Sequence, residues 1–135
     1  MPHYYLSIFV KITNKFYFSI IIMNIISKKK CIPCQGGIPP LEHKEINTLM
    51  NQLEDGWRVY KNKEIRKEYI FTKYTEAIIF TNKIAELSEK EGHHPFIHID
   101  YKKVTIILFT HKINGLHEND FIIASKCDIV LKSLK

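Results

Sequence analysis

The chain has 135 residues, 45% of them hydrophobic and 25% charged, which is enough for one globular domain with a short appendage and excludes wholesale disorder. Five glycines and five prolines exclude collagen-like and low-complexity classes, and three cysteines do not make a disulfide scaffold. The net charge of +6 is unevenly spread: residues 1–40 hold five lysines and no acid, leaving 15 basic against 14 acidic residues in 41–135. A nearly neutral main domain argues against a phosphate-tracking surface, and so against direct nucleic-acid binding.

Residues 1–30 read as an N-terminal extension. The uncharged run Phe16–Ser27 spans 12 residues, short of the roughly 20 that a membrane span needs. It suits a targeting segment or an uninformative extension, which leaves a cytoplasmic or an organellar location open. Residues 31–40 form a Cys/Pro/Gly linker that should be neither helix nor strand. Its Cys31-Ile-Pro-Cys34 has the spacing of a zinc knuckle or redox pair. Without a second ligand pair, two ordinary linker thiols is the simpler reading.

From residue 41 the elements follow in order. Ile46, Leu49, Met50 and Leu53 recur at helical spacing, so 41–54 reads as an amphipathic helix between Pro40 and Gly56. Trp57–Tyr60 and Ile65–Phe71 alternate around a turn at Lys61–Lys63, as a β-hairpin does. Thr75 is placed to cap a helix running to Glu91, with Ala77, Phe80, Ile84 and Leu87 inward and Gly92 as its stop. Strands over 96–101 and 103–110 make a second hairpin. A last helix over 118–133 turns Ile123, Ala124, Cys127, Val130 and Leu131 inward. The order α-β-β-α-β-β-α defines an α+β domain over 41–135, a four-stranded antiparallel sheet with helices packed on one face. Its uncovered edges suit self-association.

Seven histidines exceed what such a core needs. His93 and His94 follow a helix stop, and Pro95 keeps His94 out of helix. His111, at the end of the following hairpin strand, returns towards them, on the face of Thr105, Ile107 and Phe109. Glu89 on the last helical turn is placed to orient an imidazole, and Asp120 opens the final helix, where a carboxylate is favoured. The spacing leaves three readings open: acid–base chemistry at neutral pH, a three-imidazole zinc site, or turn histidines with local hydrogen bonds. His3, His43, His98 and His117 read as surface residues.

Glu89, His93-His94-Pro95, Tyr101, His111 and Asp120, at these spacings, resemble the signature of the pterin-4a-carbinolamine dehydratase family. Lys103-Val104-Thr105, Thr110-His111, Gly115-Leu116, Asn119-Asp120-Phe121 and Trp57 after Gly56 share in that resemblance, which covers residues 41–135. Departures are Gly92 where animal members often carry Asp, Asn119 where they carry Arg, and His117 in place of a Thr or Ser cap. The resemblance implies an enzyme, a hydro-lyase that dehydrates 4a-hydroxytetrahydropterin to quinonoid dihydropterin in tetrahydrobiopterin-type recycling, with the pterin as substrate and neither metal nor cofactor. It implies catalytic roles for His93, His94 and His111, and substrate-binding or supporting roles for Glu89, Pro95, Tyr101 and Asp120. It further implies a homodimer or homotetramer; that there is no stable membrane span follows from the short uncharged run. The competing class is a non-catalytic interaction module, since some animal members act as a dimerisation cofactor for a homeodomain transcription factor.

Overall fold

The structure, a computed structural model, describes residues 25–135. Its elements are α1 (His43–Met50), β1 (Arg58–Tyr60), β2 (Glu64–Ile70), α2 (Tyr74–Glu91), β3 (Phe96–Asp100), β4 (Lys103–Leu108) and α3 (Glu118–Ser133). One antiparallel sheet has the order β1-β2-β4-β3. This is the expected α+β architecture. Val104, Ile106 and Leu108 alternate with half-buried neighbours along β4, and with Ile65 and Tyr69 they bury one face of the sheet. Phe80 and Ile84 of α2 and Phe121, Ile123 and Cys127 of α3 complete that core. Across the register Arg58, Arg66, Ile107 and Phe96 share a row on the other face.

Local chemistry sets the boundaries. Glu45 accepts from the Glu42 N–H to start α1, which ends at Met50 in a turn rather than reaching residue 54. Tyr74 begins α2 with Lys73 as its cap, because Glu76 accepts the Lys73 N–H; the expected cap, Thr75, lies inside the first turn. Gly92 ends α2 at φ 67, a left-handed turn that glycine adopts without strain. Strand β4 stops at Leu108, short of the expected residue 110, and Thr110 pairs only with Gly115 across a short 3-10 turn, His111–Ile113. His111 is therefore a turn residue, not the last residue of a strand.

The start of the described chain is also part of the domain. Residues 25–28 are helical, and Ile26 is 1% exposed within the core. That side chain corrects the reading of residues 1–30 as an extension separate from the 41–135 domain at this one point. Residues 31–40 contain no helix or strand, as expected, but they lie docked on the domain. Most of the uncharged run Phe16–Ser27, and His3, lie outside the described residues. Among the described residues no helix is long and apolar enough to cross a membrane.

Candidate active site

The site is built where the end of α2, the start of β3, the His111 turn and the start of α3 meet. Asp120 is its fixed point. It stands in the first turn of α3 with no exposed surface and accepts three hydrogen bonds. The His117 N–H donates at 2.9 Å, the Thr110 hydroxyl at 2.8 Å, and His93 Nε2 at 2.7 Å. The first closes a capping box; the others tie the α3 terminus to the strand end and to the loop after α2. A carboxylate is acceptor-only, so His93 presents Nε2–H to it, and the neutral ring carries its lone pair on Nδ1. The His93 side chain is only 10% exposed, which restricts the ring to that orientation.

His94 takes a different partner. Its Nε2 lies 2.6 Å from Glu89 Oε1, so Glu89 orients the second histidine of the pair, and both side chains are well exposed. The Gly92 turn explains the division: the chain reverses there, sending His93 inward to α3 and leaving His94 over the last turn of α2. His111 is exposed, with its ring 4.1 Å from Phe109 and 5.4 Å from Phe96. Phe96 and Phe109 are themselves stacked at 5.8 Å, nearly parallel. His111 thus borders a flat aromatic surface, while its neighbour Thr110 reaches Asp120.

Six of the seven singled-out residues gather at this end: Glu89, His93, His94, Pro95, His111 and Asp120. Tyr101 does not. It occupies the β3–β4 turn at φ 51, at the far end of β3, stacked on Tyr74 at 6.2 Å. The sequence placed Thr110 only within the family resemblance and gave it no role; its hydroxyl on Asp120 is what the structure adds. His117, read as a surface residue that replaces the usual Thr or Ser cap, does cap α3: its Nδ1 accepts from the Asn119 N–H at 3.1 Å. Among the described residues no three His, Cys, Asp or Glu side chains are grouped to hold a metal ion. A groove of about 410 Å³, lined by Tyr69, Phe71, Ile79, Leu131 and Leu134, lies by the opposite end of α3 and contains no histidine.

Fold and site together define an α+β domain with a histidine–carboxylate pair at the entrance to its second hairpin. The profile of the pterin 4 alpha carbinolamine dehydratase family matches residues 39–130, and the chain belongs to that family. It is 47% identical over 106 residues to a protein of Rickettsia canadensis named "putative pterin-4-alpha-carbinolamine dehydratase", covering 78% of this chain and 97% of that one. A protein of the same name from Alkaliphilus metalliredigens is 47% identical over 106 residues, covering 78% of this chain and 96% of its own. Among solved structures, a transcriptional coactivator/pterin dehydratase from Brucella melitensis superposes with a TM-score of 0.63 at 32% identity, covering 67% of this chain and 97% of that one.

Proposed function

We propose that the protein dehydrates 4a-hydroxytetrahydropterin to the quinonoid dihydropterin by acid–base catalysis at histidine. The reaction breaks the C4a–O bond, releases water and removes a proton from a ring nitrogen. One group must protonate the departing oxygen and another must accept the nitrogen proton. No electrons change hands, so the step calls for no redox cofactor.

The observation that carries this reading is the His93–Asp120 contact of 2.7 Å beneath a ring with little exposure. Asp120 fixes Nε2–H and leaves Nδ1 as the proton acceptor, which suits His93 to the base role. His111, at the edge of the Phe96–Phe109 surface, is then the acid, and that surface offers a face on which a flat pterin stacks. His94, tethered to Glu89, aligns the substrate, and Pro95 fixes where it points. Tyr101, remote within one chain, serves this site only from a second copy.

Support for such a copy comes from β3, an edge strand on which Ile99 is 42% exposed. We therefore read the working form as a homodimer or homotetramer. The second reading, an interaction module, rests on the coactivator half of the Brucella protein's name. The experiment is a spectroscopic dehydratase assay with chemically generated 4a-hydroxytetrahydropterin and excess chelator. Turnover well above the spontaneous rate is expected; a chain that binds partners but leaves the spontaneous rate unchanged would favour the interaction module.

A further inference from the structure

Residues 29–34 cross the segments that carry the site, and each anchor sits within two residues of a site residue. Lys29 pairs with Glu118 at the start of α3. The Cys31 N–H donates to Glu91 Oε2 at 3.0 Å, two residues before His93. Asn119, one residue before Asp120, grips the peptide of Ile32 from both sides. Its Oδ1 accepts the Ile32 N–H at 3.1 Å, and its Nδ2 donates to the Ile32 carbonyl at 2.7 Å. Lys112, one residue after His111, donates to the Cys34 carbonyl at 3.2 Å.

Two of these anchors are buried in a way that makes the segment indispensable to them. Asn119 is 2% exposed, and the partners of its side-chain amide both come from Ile32. The Glu91 side chain is 4% exposed and is shared between Lys126 and the Cys31 N–H. An amide both accepts and donates, as a neighbouring strand would; a guanidinium, donor-only, cannot take the Ile32 N–H. Asparagine at position 119 therefore suits this chain to this segment.

We propose that residues 29–34 are a strap belonging to the active-site scaffold, with Asn119 a positioning residue that holds Asp120, and through it His93, in register. The proposal rests on the dehydratase reading for its kinetic consequence, but not for its structural one. Misplacing a reacting group by an ångström costs up to about a hundredfold in rate, so small shifts here are measurable.

The test uses the full chain carrying Asn119→Ala or, separately, Ile32→Pro. Pro33 already keeps Ile32 out of helix, and Ile32 is 61% exposed, so proline there removes the N–H that Asn119 accepts without taking a side chain from the core. Each variant should keep its circular dichroism and lower kcat roughly tenfold or more, with KM within about twofold. The imidazole N–H proton of His93, followed by NMR, should exchange with water at least about tenfold faster. Folded variants with unchanged kcat and an unchanged imidazole proton would overturn the proposal. So would unfolding of both variants, which would make the strap a requirement for folding rather than for alignment. If one variant unfolds, the other decides. If the unaltered chain shows no dehydratase activity, the functional reading falls, and the strap stands or falls on the imidazole proton alone.

Discussion

Asp120 is the residue on which most of the site depends, since its two oxygens serve a strand end, a helix cap and an imidazole at once. Asp120→Asn keeps the volume but puts an NH2 where an oxygen stood, facing either the Thr110 hydroxyl and the His117 N–H or His93 Nε2. We expect turnover to fall by about 10²- to 10⁴-fold, the usual worth of an acid–base group and its orientation, with substrate affinity less affected. Steady-state kinetics on the folded variant check this. The residues of this cluster were legible in the sequence because His-His-Pro after a helix stop, a distant histidine and a helix-opening acid are separated by fixed spacings. Their pairing was not. Spacing cannot show that the Gly92 turn gives Glu89 to His94 and Asp120 to His93, because both depend on which way the chain leaves a left-handed residue. A second buried carboxylate, Asp128, holds Trp57, Lys67 and Tyr69 at 2.9, 2.7 and 2.7 Å. Asp128→Ala should cost about 3–5 kcal/mol in denaturant unfolding, since it leaves the Lys67 ammonium nearly buried without a partner.

At the scale of elements, turns decide what periodicity leaves open. A Cβ on Gly115 would stand 2.6 Å from Pro40 Cβ, so Gly115→Ala must push the 31–40 segment off the His111 turn. A loss of about 1–3 kcal/mol is expected, read as a lowered thermal midpoint. The opposite sign holds at Lys61, a lysine at φ 52 in the β1–β2 turn closed by the Lys63 N–H to the Tyr60 carbonyl. Lys61→Gly relieves that conformation and should stabilise the chain by about 1 kcal/mol, raising the midpoint by several degrees. All seven main elements were legible from a 3.6 or 2 period, with Pro40, Gly56, Gly92, Pro95 and Gly115 marking some of the breaks between them. The error at His111 has a physical origin: Phe109 and His111 continue the alternation of β4, but Thr110 spends its side chain on Asp120 and its backbone on Gly115. Pattern alone cannot separate a strand from a turn that keeps the same facing.

For the whole molecule, the helix α3 shows how far the core extends. Phe121 to Ser125 are buried without interruption, where the sequence showed only one inward stripe. The helix is covered not only by the sheet and α2 but also by α1 and the docked residues before 33. A chain beginning at Ile38 would lose Ile26 from the core and both partners of the Asn119 amide, a cost of at least about 2 kcal/mol. Burial also shapes the response to pH. It pushes the Cys31 thiol from 9.0 up to about 12, with Glu91 adding to the rise and Lys126 opposing it. It raises Cys127, reinforced by Asp128, and raises Tyr69, reinforced by Cys127 and Asp128. Each group keeps its proton longer folded than unfolded, so this stability is complete below about pH 9 and is lost as pH rises towards 12. The unfolding free energy from urea titrations should be level up to about pH 8 and then fall, at up to about 1.4 kcal/mol per pH unit for each of the buried Cys127 and Tyr69 and by less for the half-buried Cys31. A free energy that rises between pH 8 and 11 would contradict the burial of these groups.

The central claim is that His93, held by Asp120, moves a proton in pterin dehydration, and the most direct measurement is the dehydratase rate of His93→Ala beside the unaltered chain. The unaltered chain should accelerate the loss of water well above the spontaneous rate, and the folded variant should lose about 10²- to 10⁴-fold of that acceleration. A folded His93→Ala chain that turns over at the unaltered rate would contradict the account.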